Sequence, residues 1–380
     1  MRSLKPSLLI AVSFLLAMGT TQSEAQTVPF KTVGAQTSSR AITPEDFSKF
    51  LPQQRTLKTL RRVQTPSLEA GAESKAPAPV IMPGHEGGPV IPHKAAAAQA
   101  EGRIAPQDYG VRQLRTVNHY SDNLVPPAIT ASFPYRTTGW FTFKTHDKKN
   151  FRCSAALISR SILLTAGHCV HDGGGGSAFW ITEGTFYPAF ADGPSGYGSA
   201  TAAAFFTTPG WFRRGALDKG YDVALVVLNK RMDTATEIGT HTGWLSVCLE
   251  NCLHPFWQNT QLGYPGNYYN GLHMTEGRHL EYSDGFDYRS GSGMEGGSSG
   301  GPHIANIGSI ADSSDSQGRY TRRNVAFAVT SWGYTDASVK IQGYSSTSGP
   351  NNINEFKAMY NSACNKAREL HGPASCRLVP

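Results

Sequence analysis

The stretch Tyr221-Asp222-Val223-Ala224-Leu225-Val226-Val227-Leu228 sets one carboxylate against six consecutive apolar residues. A run this short and rich in β-branched side chains reads as a strand buried on both faces. A carboxylate at its mouth costs free energy unless a hydrogen-bond donor meets it, so Asp222 is either an ordinary turn residue or half of a buried polar pair. Working outward, comparable runs occur at Trp140–Phe143, Ser154–Ile158, Ser161–Thr165 and Asn324–Trp332, bounded by Gly, Pro, Asn or Asp. Forty glycines and 23 prolines, with only 17% charged residues, suit the same turn-rich, all-β chain. One helix is predicted, from Ile353 to about Leu370, where Ile353, Phe356, Met359, Tyr360 and Cys364 recur at helical spacing.

The N-terminus reads differently. Arg2 and Lys5 precede an eleven-residue apolar run, Leu8–Met18, and the small residues Ser23 and Ala25 suit cleavage after Ala25. A membrane span needs roughly 18 or more apolar residues, so residues 1–25 are expected to be a removable export signal, with no membrane association afterwards. Residues 26–125 show little periodicity and include the Pro/Ala-rich Lys75–Gly84 and the run Ala95–Ala98. Such composition suits a largely irregular pro-segment, removed between Arg115 and Pro127. Residues 126–380 then form the folded, secreted domain, expected as a monomer in the periplasm or outside the cell. That part carries 21 basic against 19 acidic residues, although the whole chain is +7. No basic groove for nucleic acid is therefore expected.

Six cysteines in an exported chain favour disulfides. They fall into three couples near in sequence: Cys153 with Cys169, Cys248 with Cys252, and Cys364 with Cys376. Pairing within each couple is the simplest assignment. A zinc site from Cys248, Cys252, Cys364 and Cys376 is the rival.

Two further stretches carry candidate chemistry. Leu164-Thr165-Ala166-Gly167-His168-Cys169 puts a histidine after small residues at the end of an apolar run, where an imidazole could face a cleft and act as a general base. Gly296-Gly297-Ser298-Ser299-Gly300-Gly301-Pro302 flanks a serine with glycines, whose backbone freedom lets successive N–H groups converge while the hydroxyl stays accessible. The amides of Gly297 and Ser299 are the candidate oxyanion donors. Taken singly, His168 also fits a structural histidine, and the glycine-serine run a flexible linker.

Together, Thr165-Ala166-Gly167-His168-Cys169, Asp222-Val223-Ala224-Leu225 and Gly297-Ser298-Ser299-Gly300-Gly301-Pro302, in that order, resemble the three catalytic blocks of the chymotrypsin-like serine peptidases over roughly residues 130–350. The resemblance implies two six-stranded antiparallel β-barrels closed by the C-terminal helix, with Ser299 as nucleophile, His168 as base and Asp222 as its orienting acid. It further implies that Ser331-Trp332-Gly333 pairs with substrate backbone and that a Cys153–Cys169 bridge frames the histidine. The activity implied is endopeptidase cleavage of protein and peptide substrates through an acyl-enzyme, with no cofactor and no metal.

Two positions depart from the animal enzymes. Ser298 replaces the aspartate that receives a freed N-terminal ammonium, and Gly293 stands six residues before Ser299 where trypsin-like enzymes place an aspartate at the pocket floor. The chain looks most similar to the bacterial glutamyl-endopeptidase-like branch, yet Val329-Thr330-Ser331-Trp332 lacks that branch's pocket histidine. Arg289 is either a receiver for an acidic side chain or a solvated loop residue. The competing readings are a catalytically inactive peptidase-fold binding protein and an esterase. An esterase's G-x-S-x-G elbow would precede its histidine, against the order here.

Overall fold

The computed structural model describes residues 28–34, 49–53, 56–57, 80–88, 91 and 120–379, the last range without 217–219, 251–258, 280, 284–287, 309–322, 335, 337 and 350–351. The expected signal, residues 1–25, lies outside the described residues. The expected pro-segment is not irregular throughout. It contributes β1 (Phe30–Thr32), β2 (Leu51–Pro52), β3 (Thr56–Leu57), β4 (Val80–Met82) and β5 (Tyr120–Leu124). All five pair with strands of the domain that follows.

That domain begins with β6 (Thr138–Lys144), β7 (Asn150–Leu157), β8 (Ile162–Thr165), β9 (Glu183–Pro188), β10 (Ala200–Thr207) and β11 (Ala224–Leu228). They run in the order β10-β11-β8-β7-β6-β9, antiparallel throughout, and β9 returns to β10 to close a six-stranded barrel. The run Val223–Leu228 is continuously apolar because every one of its side chains is buried. Its neighbour β8 is buried throughout as well, so neither strand needs the alternation of a half-solvated one.

The second half holds β12 (Ser246–Glu250), β13 (Asn259–Gly263), β14 (Thr275–His279), β15 (Glu281–Ser283), β16 (Tyr288–Gly291), β17 (Pro302–Ala305), β18 (Val325–Tyr334) and β19 (Ile341–Ser346). The antiparallel path is β15-β16-β19-β18-β17-β13-β14-β5, with β12 and β3 laid parallel against β18. The expected second six-stranded barrel is thus extended into a larger sheet by strands from the N-terminal segment. The last of these strands, β5, pairs antiparallel with β14 over five residues, Tyr120 to Leu124.

The C-terminal helix, Ile353–His371, matches the expected one and packs on β10, β11 and β12 through Phe356, Met359, Tyr360 and Ala363, all buried. A Cys364–Cys376 disulfide, Cα–Cα 5.4 Å, ties its last turns to the chain end. A second joins Cys153 to Cys169, Cα–Cα 6.3 Å. These two couples pair as expected, so Cys364 and Cys376 are not zinc ligands. The Cys248–Cys252 couple involves Cys252, which lies outside the described residues.

Candidate active site

Asp222 stands just before β11, and its carboxylate is fully buried. Each oxygen has a donor. Oδ1 accepts from the backbone N–H of His168 at 2.7 Å, and Oδ2 accepts from the Ser331 hydroxyl at 2.6 Å. The His168 Nδ1 lies 2.7 Å from the same Oδ2. The carboxylate accepts at this contact, so Nδ1 is the ring nitrogen that donates and Nε2 is the one that faces away from the acid. That Nε2 is buried and has no hydrogen-bond partner among the described residues.

Local sequence explains the close fit. His168 lies in a turn directly after β8, and the disulfide from Cys169 to Cys153 on β7 fixes that turn. A side chain at Gly167 would bring its Cβ within 2.8 Å of the Trp211 ring and 2.9 Å of Asp222 Oδ1, so glycine is what lets the imidazole reach the acid.

Ser299 occupies a turn before β17 whose glycines are obligatory. Gly297 has φ +98° and Gly300 φ +78°, both in the left-handed region. A Cβ at Gly300 would crowd Thr165, Ser154 and Ala166, the last two residues before the His168 turn among them. On the other side, the Gly300 N–H donates to Thr330 O at 2.8 Å, beside Ser331. The nucleophile candidate is thus seated between the strand end carrying His168 and the strand whose serine holds Asp222. Ser154, which sequence reasoning did not single out, clamps this turn: its N–H donates to Ser299 O at 2.8 Å and its hydroxyl to Gly297 O at 2.8 Å.

The cleft is not vacant. The carbonyl oxygen of Gln53 accepts from the Gly297 N–H at 2.9 Å and from the Ser299 hydroxyl at 3.1 Å. Gln53 belongs to the N-terminal segment, and nothing in its local sequence marks it.

Another unanticipated residue is Asp122 on β5. The space a side chain would take at Gly293, expected at the pocket floor, is filled by the Tyr268 hydroxyl and by Asp122: a Cβ there would stand 2.8 Å from Asp122 Oδ2. That oxygen accepts from the Gly293 N–H at 2.7 Å and from the Tyr268 hydroxyl at 3.2 Å. Burial pushes the carboxyl up to about 6, against the opposing pull of the Gly293 N–H, Tyr268 and Lys340. Ser298, where the animal enzymes have an aspartate, donates its hydroxyl to Glu295 O at 2.7 Å and accepts from Gln342.

Behind Ser331, a buried polar chain links Gln261 Nε2 to Thr330 Oγ1 at 2.7 Å, Thr330 to His303 Nε2 at 3.2 Å, and His303 through Asn259 to His279. Burial holds His303 and His279 well below the ordinary imidazole range, His279 at about 3, so both are neutral. Arg289 is neither in a loop nor solvated. It lies on β16, 2% exposed, with its guanidinium 5.3 Å from the Trp332 ring centroid.

A family model described as Trypsin matches residues 129–351. This chain belongs to the trypsin family. The matched span includes His168, Asp222 and Ser299 and begins after β5. A relative from Bacillus subtilis (strain 168), described as an extracellular metalloprotease, is 29% identical over 132 residues. The alignment covers 33% of this chain and 37% of that protein, so the chain spans well under half the length of that relative. Among solved structures, protease Anisep from Arthrobacter nicotinovorans is similar at 22% identity and TM-score 0.48, covering 60% of this chain and 95% of that one. A Glu endopeptidase is similar at 20% identity and TM-score 0.46, over 62% and 94%.

The metal named in the Bacillus relative's description finds no ligand set among the described residues. Among the described residues, the one group of ligand-type atoms close enough to share an ion is Cys153, His168 and Cys169. Both of its sulfurs are joined in a disulfide and offer no thiolate.

Proposed function

We propose that the chain is an exported serine endopeptidase that cleaves peptide bonds through a Ser299 acyl-enzyme. The observation that carries this reading is a pair of contacts, one at His168 and one in the turn of Ser299. A fully buried Asp222 orients His168 at 2.7 Å, and a peptide carbonyl is held at 2.9 Å by the Gly297 N–H. A peptidase needs both, one to activate the hydroxyl and one to stabilise the oxyanion.

In turnover the Ser299 hydroxyl gives its proton to His168 Nε2 while Oγ bonds to the scissile carbonyl carbon. Asp222 and the Ser331 hydroxyl hold the imidazole as it becomes cationic. The Gly297 amide, with that of Ser299, takes the negative charge on the carbonyl oxygen. His168 then returns the proton to the leaving amine, and the same steps, with water as nucleophile, release the acyl group. Residues 1–25 serve as export signal, and the N-terminal segment is removed between Arg115 and Pro127. The substrate is a protein or peptide, taken up by a monomer.

Ser299→Ala tests the reading. It is expected to lower peptide hydrolysis by about 10⁴–10⁶-fold with an unchanged melting profile, and a fluorophosphonate is expected to label Ser299 and not Ser298. Undiminished hydrolysis by the variant would refute the assignment. An intact parent that binds peptides without cleaving them would favour the inactive binding protein instead.

A further inference from the structure

What lies in the cleft carries an inference beyond the peptidase reading, on which it rests. Residues 51–53 and 56–57 lie against the two sides of the site as a strap. Leu51 and Pro52 pair parallel with Phe151 and Arg152 of β7, and the Gln53 N–H donates to Arg152 O at 2.9 Å. Beyond the cleft, Thr56 and Leu57 pair parallel with Gly333 and Tyr334 of β18, the strand that carries Ser331 and Trp332. Between these anchors the Gln53 carbonyl oxygen takes both the Gly297 N–H and the Ser299 hydroxyl. Pro52 fits against two glycines: a Cβ at Gly266 or at Gly297 would stand 3.3 Å from its ring carbons.

We propose that this strap is an intramolecular inhibitor, bound in the peptide-binding cleft with a polarity that does not lead to its own cleavage. The hydroxyl of Ser299 is spent on the carbonyl oxygen, not directed at the carbonyl carbon. His168 Nε2, the atom that must take the hydroxyl proton, has no partner among the described residues, Ser299 included. The nucleophile and its base are therefore unlinked while the strap is in place. Parallel pairing at both edges fixes the sense in which the strap runs, and a chain antiparallel to the same edges would cross in the opposite sense.

The grip is designed to be lost. Each anchor is two residues long, and Leu51 is 54% exposed. A segment held so lightly competes for the cleft only while it is tethered at high effective concentration. The tethers lie on both sides. The β1 strand pairs with β10, and beyond the strap the carbonyls of Glu86 and Gly88 accept from the buried Arg136 guanidinium. Cutting the chain upstream of Tyr120 would turn the strap from an intramolecular ligand into a separate one.

The test compares three proteins by the rate at which a fluorophosphonate labels Ser299: the uncut chain, the uncut P52E/Q53P chain, and the chain cut upstream of Tyr120 by limited proteolysis. The double variant puts a charge between Gly266 and Gly297 and removes the Gln53 N–H. Labelling of the uncut parent is expected to be at least tenfold slower than of the other two, while the variant keeps the parent's melting profile and an uncut N-terminal segment. Equal rates in the uncut parent and the variant would overturn the inference. Spontaneous cleavage of the parent between Gln53 and Gln54 would overturn it as well, since the segment would then be a substrate. Absence of labelling in all three would instead remove the peptidase reading, and this inference with it.

Discussion

Asp122→Asn is expected to make the folded protein more stable at neutral pH, although it removes a carboxylate that accepts two hydrogen bonds. The carboxyl is 8% exposed, and burial raises it from 3.8 to about 6. A folded state that holds a proton more tightly than the unfolded chain loses stability as pH rises between those two values. Below about pH 3.8 both states are protonated and the group contributes nothing. Between 3.8 and 6 the unfolded chain has given up its proton while the folded one has not, and above 6 the full cost is present. At 1.36 kcal/mol per unit, the ionised group costs up to about 3 kcal/mol at pH 7 to 8. The asparagine can still accept from the Gly293 N–H and Tyr268 through its oxygen. Its amide would take the place of Oδ1, a buried atom with no hydrogen-bond partner among the described residues.

For a domain of this size the gain corresponds to a melting point higher by on the order of 5–10 °C at pH 8, shrinking toward zero near pH 4. Thermal unfolding at both pH values, on a Ser299→Ala background that cannot digest itself, measures it. A variant less stable than its parent at pH 8, or a difference that does not change with pH, would refute the reasoning.

Two further changes probe the site itself. Asp222→Asn presents an amide to His168 Nδ1 and favours the wrong ring tautomer, so kcat is expected to drop by about 10⁴ with the fold intact; a loss below tenfold in a steady-state peptide assay would argue against the role of Asp222. Gly297→Ala forces a side chain into φ +98° and sets its Cβ 2.6 Å from the Tyr264 carbonyl oxygen, which should displace the Gly297 amide from the oxyanion position. Its kcat is expected to fall by about 10²–10³, and an unchanged kcat would remove Gly297 from the mechanism.

How much of this was legible in the sequence follows from the range of each contact. His168, Asp222 and Ser299 each sit in a block whose neighbours are themselves informative. The apolar run behind Asp222 declares a buried strand, the glycines around Ser299 declare a turn, and the small residues before His168 declare close packing. The closed first barrel was readable for the same reason, since Val223–Leu228 and Ile162–Thr165 are buried on both faces and show it locally.

The residues that escaped act across long separations. Asp122 meets the Gly293 amide 171 positions away, and Gln53 meets Ser299 across 246. Neither contact leaves a periodic or compositional trace at either end. The strands of two or three residues in the N-terminal segment are equally silent, because pairing at such edges is decided by the open backbone of β7, β10, β12 and β18, not by the propensity of the short partner. Arg289 misled for a related reason. A lone arginine in sequence has a solvated side chain as its default, and only the Trp332 ring on a strand 43 positions later gives the guanidinium a buried place to lie.

The same logic accounts for the inhibition proposed here. A segment that binds through its backbone alone needs no distinctive side chains. The cleft recognises Gln53 as it would any peptide carbonyl, and what separates inhibitor from substrate is the direction in which the chain is threaded.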